Sequence, residues 1–296
     1  MRISDTQFSQ MMLQSLQTNN AGLGKVMQQM ATGDRMTKLS DDPMASIKLL
    51  NLERQDSAIT QYQSNIANVK TTLSSQEVYL SSVSDSLQNM RERLLWGANG
   101  TMTTDDRAGV ITELENLRAS VAASFNAQDE EGHYLFSGTA TNVASLDSGY
   151  NLQGNSDKRV VTVAKGVTME SNITAQDILD LGGGSNMLTS LDALIAEFQV
   201  PTANFRNQVE SALADLDATF SNVQGAITEL GGRQNQLDLL DSSHADNKLF
   251  VDKVTDDLSA LDYGEASVRL NSFMAALQAT QASYVKIDGL SLFDRI

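Results

Sequence analysis

The stretch ITQYQSNIANVKTTLSSQEVYLSSVSDSLQNMRERL, Ile59 to Leu94, decides the fold. Within it Ile59, Tyr62, Ile66, Val69, Leu73, Gln76, Leu80, Val83, Leu87, Met90 and Leu94 follow one another in alternating steps of three and four. Only Gln76 breaks the apolar series. Such a heptad stripe keeps one face of a long helix against a partner helix. Ser, Asn, Gln, Lys and Asp fill the places between, as a wet face requires. At 1.5 Å per residue the rod is about 50 Å long. Each buried Leu or Val contributes about 1.5–3 kcal/mol, so the seam outweighs any local preference. Gly97 and Gly100 are expected to end the helix.

A partner for this rod lies far downstream. Val209, Leu213, Leu216, Phe220, Val223, Ile227, Leu230, Gln234 and Leu237 repeat the same spacing. The phase slips by one at Leu240 and continues through His244, Asn247, Val251, Val254, Leu258 and Leu261. Gly231-Gly232 falls inside this run, where each glycine costs up to about 1 kcal/mol, so a close backbone approach or a kink is expected there. Between the rods, Thr103 and Asp106 have the spacing of a capping box. They open a helix with Val110, Leu114, Leu117, Val121 and Phe125 on one face. The three helices can pack as a bundle.

Both chain ends carry amphipathic helices of their own. At the N-terminal end the stripe is Phe8, Met12, Leu16, Asn19, Leu23, Val26 and Met30. At the C-terminal end it is Ala266, Leu270, Phe273, Leu277, Thr280, Tyr284 and Ile287, with Leu292 and Phe293 beyond. Isolated helices of this length are marginal in water. They either join the bundle core or pair with each other and with neighbouring subunits. The second reading makes Phe8, Met12, Leu16, Leu23, Val26, Met30, Leu270, Phe273, Leu277, Tyr284, Ile287, Leu292 and Phe293 an assembly interface.

The middle of the chain changes character. His133-Tyr134-Leu135-Phe136 is a short strand-forming run closed by Ser137-Gly138. Arg159 to Lys165 reads as a second strand, turning at Lys165-Gly166 into Val167 to Glu170. Thr174 with Asp177 caps a short helix, Gly182 to Ser185 is a linker, and a helix carrying Leu188, Leu191, Ile195 and Phe198 stops at Pro201. The expected fold is mainly α with a small β-rich insert, in a discontinuous bundle of long heptad helices drawn from both ends. The expected domains are 1–42 with 262–296 for terminal assembly, 43–131 with 202–261 for the bundle, and 132–201 for the insert.

Composition narrows the function. The formal net charge is −16 over 296 residues, with aromatics at 5%, two prolines and no cysteine. That field repels nucleic-acid phosphates and anionic membrane surfaces, so neither is an expected partner. No thiol chemistry or Cys-ligated metal is possible. No apolar run reaches transmembrane length, and Met1 to Gln7 lacks the layout of a cleaved signal. The two histidines, His133 and His244, lie in different modules without metal spacing around them. His244 falls on a seam position, where it marks register or solvent entry. No nucleotide-loop, dinucleotide or metalloprotease pattern is present. Catalytic, cofactor and metal sites are therefore not expected.

One acidic cluster needs an explanation. In ATGDRMTKLSDDPMAS, Ala31 to Ser46, the residues Ser40, Asp41, Asp42 and Pro43 sit between two helical runs. Gly33 stops the first helix and Pro43 suits the first turn of the next. Ser40, Asp41 or Asp42 can accept bonds from that helix's free amides, and their charge suits its positive end. The cluster is a helix-to-helix joint, and the helix it starts is expected to carry Ile47, Leu50 and Arg54 towards the long seam.

Four motifs together resemble the flagellin-like axial proteins of the bacterial flagellum and, within them, the hook-associated proteins of the hook–filament junction. They are Met1-Arg2-Ile3-Ser4, the joint TGDRMTKLSDDPMA at Thr32 to Ala45, GHYLFSGT at Gly132 to Thr139, and the closing LSLFDRI at Leu290 to Ile296. Flagellins are similar in plan but have an Arg-Ile-x-Ser-Ala-x-Asp-Asp-Ala-Ala-Gly joint and a Leu-Leu-Arg-like end. The resemblance implies a non-enzymatic structural subunit, exported through the growing tube by the flagellar type III apparatus to the hook–filament junction outside the cell. Its implied partners are a ring of its own copies, hook-associated protein 1, flagellin and an export chaperone on the C-terminal helix. A minor flagellin-type filament subunit and a soluble coiled-coil regulator dimerising through Ile59 to Leu94 are the alternatives.

Overall fold

The computed structural model describes residues 2–98, 102–182, 186–202 and 204–293, with side chains omitted at 2–6, 8 and 287–293. In chain order the elements are α1 (Arg2–Thr32), α2 (Pro43–Gly97), α3 (Thr104–Phe125), β1 (Val160–Ala164), β2 (Val167–Glu170), α4 (Ala175–Leu179), α5 (Met187–Gln199), α6 (Phe205–Ser259) and α7 (Tyr263–Phe293). The fold is mainly α with one two-stranded antiparallel sheet. It divides into two compact units, residues 1–58 with 246–296, and residues 59–245.

The unit of residues 59–245 is built on the two seams. Ile59, Ile66, Leu73, Leu80, Leu87 and Leu94 recur every seven residues along α2 and are all buried. Val209, Leu216, Val223, Leu230 and Leu237 do the same along α6. His244 takes the next place in that series and is also buried, and Leu240, where the phase is expected to slip, is half-buried against the same core. The helices are antiparallel, since rising numbers on one meet falling numbers on the other. Tyr62 stacks on His244, Lys70 pairs with Asp238, and Arg91 meets Asp217 at 2.9 Å. Thr103 and Asp106 form the expected capping box of α3, which buries Val110, Leu114, Val121 and Phe125.

α6 runs unbroken through Gly231 and Gly232, and a Cβ at either would meet nothing within 4 Å. The expected close backbone approach is absent. Gly231→Ala and Gly232→Ala should therefore each stabilise the protein, by up to about 1 kcal/mol, read as a higher urea midpoint.

The insert departs from expectation at one place. Tyr134 to Phe136 makes a single bridge, Gln128 to Tyr134, and no strand. Leu135 and Phe136 are buried instead, the latter with its ring edge-on to Phe125 at 5.4 Å. The backbone there is already committed elsewhere: the carbonyl of Phe136 accepts from the amide of Ala175, and the Leu135 amide donates to Ala127. Gly138 then turns the chain at φ +71°, where any side chain would strike Asn155. β1 and β2 form the predicted hairpin. Thr174 and Asp177 cap α4, and Asn186 caps α5.

Polar side chains of the long helices hold this insert. Gln76 is fully buried. Its Nε2 donates to the carbonyls of Leu135 (2.8 Å) and Ile173 (2.9 Å), and its Oε1 accepts from the Ile173 amide (3.0 Å). His244 Nε2 lies 2.8 Å from the Val163 carbonyl, which can only accept, so that nitrogen carries the proton. Asn65 donates to the Thr162 carbonyl, and Arg233 to the carbonyls of Glu170 and Asn172. The outer edges of a two-stranded sheet would otherwise be open to pairing with another chain.

Candidate functional site

The unit of residues 1–58 and 246–296 brings the two chain ends together. α1 and α7, 31 residues each, pack on one another. Their shared core is small. Val26, Leu261 and Ala266 are buried, with Met30, Leu270 and Phe273 partly buried against them. Gly22 lies under the Phe273 ring, where a Cβ would come within 2.6 Å. Farther along, Leu277 is buried, while Met12, Leu16 and Leu23 are half-buried and Tyr284 is exposed. Phe8, Ile287, Leu292 and Phe293 lie outside the residues whose side chains are described. The seam is dense at its root and thins outward, which leaves Met11, Leu13 and Val285 exposed.

The acidic cluster sits at that root. α1 ends at Gly33, φ +80°, whose amide donates to the Gln29 carbonyl at 2.8 Å. Asp42 caps α2: its Oδ1 accepts from the Ala45 amide at 3.0 Å, and Pro43 is the first helical residue. Asp41 caps the turn before it, accepting through Oδ2 from the amides of Thr37 and Lys38, both at 3.2 Å, while Lys25 on α1 donates to its Oδ1 at 2.6 Å. Ser40 is exposed. Ser46, with its hydroxyl on the Leu39 carbonyl, closes the turn from the other side.

The joint also reaches the far corner of the chain. The Arg35 amide donates to Ser259 (2.7 Å) and the Leu261 amide to Gly33 (2.9 Å), with Asp34 and Ala260 forming an antiparallel bridge between them. The Arg35 guanidinium spans Asp42 Oδ2 at 3.4 Å and the Leu258 carbonyl at 3.2 Å. Gln29 donates to the Arg35 carbonyl, and Tyr263 to that of Met30. Two corners, α1 to α2 and α6 to α7, are thus tied at one point.

One expectation fails here. Ile47 and Leu50 are exposed, as is Arg54. The heptad register of α2, carried upstream from Ile59, falls on Leu52 and Ala45. Ala45 is buried and Leu52 half-buried. Ile47 and Leu50 are off that phase and, like Leu39 and Met44, stay exposed.

The electrostatics give the joint a pH signature. The Lys25 ammonium, with the two amides, lowers the Asp41 carboxyl from 3.8 to about 2. Asp42 is lowered as well, first by the Ala45 amide and then by Arg35. Folded values below unfolded ones contribute stability that is complete above about pH 4 and disappears as pH falls through the folded values. The joint should hold at pH 4 and loosen towards pH 2, and Asp41→Asn should flatten the thermal midpoint in that window. Among the described residues no group of three His, Cys, Asp or Glu is placed to hold a metal ion, and no helix is long and apolar enough to cross a membrane.

The chain is similar to known proteins. Residues 3–141 match the family model of the bacterial flagellin N-terminal helical region. The flagellar hook-associated protein 3 of Escherichia coli strain K12 is 29% identical over 313 aligned positions, spanning 99% of each chain. Its Salmonella typhimurium namesake is 28% identical over the same shares. A solved structure assigned to a flagellar hook-associated protein of Vibrio parahaemolyticus is 64% identical, with a TM-score of 0.72, over 74% of this chain and 100% of that one.

Proposed function

This chain belongs to the flagellar hook-associated protein 3 family, and from that membership we propose that it works as a non-catalytic axial subunit between hook and flagellin filament. The observation that carries the reading is the pair of terminal arms. Each end of the chain supplies a 31-residue helix, the two share a core of few residues, and apolar side chains stay uncovered along them. Helices so thinly supported gain order and burial from neighbouring subunits. On this reading residues 1–42 and 262–296 form the assembly domain, residues 43–131 and 202–261 the bundle, and residues 132–201 an outward insert.

Charge distinguishes the unit that carries the arms. The unit of residues 59–245 holds 23 acidic and 10 basic residues, leaving 14 acidic and 11 basic for the other unit. α1 has three charged residues and α7 equal numbers of each sign. Copies can therefore approach one another through the arms without the repulsion of the acidic unit. The partners of this subunit are its own copies in a ring, hook-associated protein 1 on the hook side and flagellin on the other. An export chaperone holds the C-terminal helix before secretion to the extracellular flagellum.

A mutant lacking this chain should build hooks and release unpolymerised flagellin into the medium. Normal filaments on such cells would defeat the reading. Removing residues 1–40 and 262–296 should leave a cooperatively melting core that no longer restores filaments to that mutant. Global unfolding of the truncated chain would make the arms ordinary core.

A further inference from the structure

Two buried hydrogen-bond donors of the insert are left unsatisfied. They are Nε of Arg159 and Nδ2 of Asn172, and among the described residues neither has a partner. Native folds rarely leave such groups unpaired. Asn172 is fully buried. Its Oδ1 accepts from the Arg159 amide at 2.7 Å, which fixes the orientation of its own amide group. Both residues join the network around Gln76. Arg159 Nη2 donates to the Leu135 carbonyl at 3.4 Å, beside Gln76 Nε2, and Gln76 also holds Ile173, the neighbour of Asn172. Charge is unbalanced at the same place. The Arg159 guanidinium is half-buried and forms no ion pair among the described residues, and Asp129 acts on it only through space. Arg233, by contrast, pairs with Glu170 and Glu229 while donating to the Asn172 carbonyl.

We propose that Arg159 Nε and Asn172 Nδ2 bind a monatomic anion of the size and charge of chloride. The balance of donors and acceptors selects that class. The Leu135 carbonyl already receives two donors, and the carbonyls of Asn172 and Ile173 receive Arg233 and Gln76. A water would bring two more hydrogens into this neighbourhood, whereas a halide only accepts. It also supplies the negative charge that the guanidinium lacks. The half-exposed side of Arg159 gives solvent ions their way in. The net charge of −16 opposes any anion at long range. Salt screens that field, with a Debye length of about 10 Å at about 0.1 M, so the site fills from there upward. A bound ion makes the seating of the β1–β2 hairpin on the Gln76 network dependent on chloride, whatever role the terminal arms have.

Thermal melting of the full-length chain in sodium chloride against sodium gluconate, at one ionic strength of about 0.3 M, tests this. Chloride should raise the midpoint by about 2–4 °C, and titration with it should move the Arg159 Nε and Asn172 side-chain amide resonances to a plateau. Asn172→Asp keeps the acceptor for the Arg159 amide and sets a carboxylate beside the guanidinium, so it should melt alike in both salts. Arg159→Gln removes the charge at a half-exposed position and should also lose the response. Lys165→Gln, an exposed cation at the hairpin turn, should keep it. The proposal is overturned if the wild-type chain melts alike in both salts or its two donor resonances ignore chloride, which would assign them to water. It is overturned equally if Arg159→Gln responds as the wild type does, or if Lys165→Gln loses the response as well.

Discussion

Gln76→Leu is expected to loosen the insert from the long helices at a cost of about 2 kcal/mol. The substitution keeps the side chain's approximate volume and adds apolar surface to a seam that is otherwise apolar, so packing alone predicts a gain. Hydrogen bonding predicts the opposite. The carbonyls of Leu135 and Ile173 and the amide of Ile173 would each lose a partner in a site with no access to water. A buried group left unpaired costs about 1–3 kcal/mol. The carbonyl and amide of Ile173 are left so, while the Leu135 carbonyl keeps the Arg159 guanidinium at 3.4 Å. The polar term outweighs the apolar gain of about 1.5–3 kcal/mol, which the fit of the new side chain to its slot reduces further. Urea unfolding gives the loss, and faster exchange of the Ile173 amide locates it. Gln88→Leu, exposed on the same helix, should move stability by less than about 0.5 kcal/mol. A Gln76→Leu chain as stable as the wild type would mean that the insert is held by its apolar contacts alone.

That residue also shows what could be read in advance. The steps of three and four from Ile59 to Leu94 fix helix, length and buried face without reference to any partner, because a heptad stripe has one geometric solution. Gln76 was visible as the break in that stripe. What it bonds was not, since its partners lie 59 and 97 residues away in an irregular segment. His244 behaves alike: its place on the seam was legible, while its partner is a strand carbonyl that only the folded insert presents. Periodicity reports which side faces inward and carries no information on what irregular backbone lies there.

At the joint the reverse held. Capping chemistry is local, so a cap among Ser40, Asp41 and Asp42 ahead of Pro43, and Gly33 after the last turn of α1, could be placed from spacing, and the structure selects Asp42 for the cap. The misplacement of Ile47 and Leu50 came from treating apolar character near the cap as a guide to the inner face. The register of α2 is set by the dominant seam downstream, and a helix has only one rotation. The strand expected at Tyr134 to Phe136 failed for a related reason. Strand-forming side chains need a free ladder beside them, and here tertiary contacts take the backbone groups first.

Val26→Asp should part the arms while leaving the unit of residues 59–245 intact. Val26 is 3% exposed, among Ala266, Leu261, Leu270 and Phe273, in the small core at the arm root. The substitution removes apolar burial and places a carboxylate among apolar groups, a change worth about 3–5 kcal/mol. Two helices sharing so few buried residues cannot absorb that loss, and alone they are marginally helical. The expected result is lower helicity, proteolytic cleavage within α1 and α7, and an unchanged melting transition for the rest of the chain. Burial raises the new carboxyl's folded value above the unfolded one of about 3.9, so the penalty grows as pH rises and shrinks as pH approaches 4. Helicity should accordingly recover in part between pH 6 and about pH 4, above the range where Asp41 and Asp42 lose their charge. Met27→Asp, at a position 58% exposed, should change none of these readings. Equal loss from both substitutions would show that the arms depend on the charge balance of α1, and the buried contact at their root would then not be what holds them.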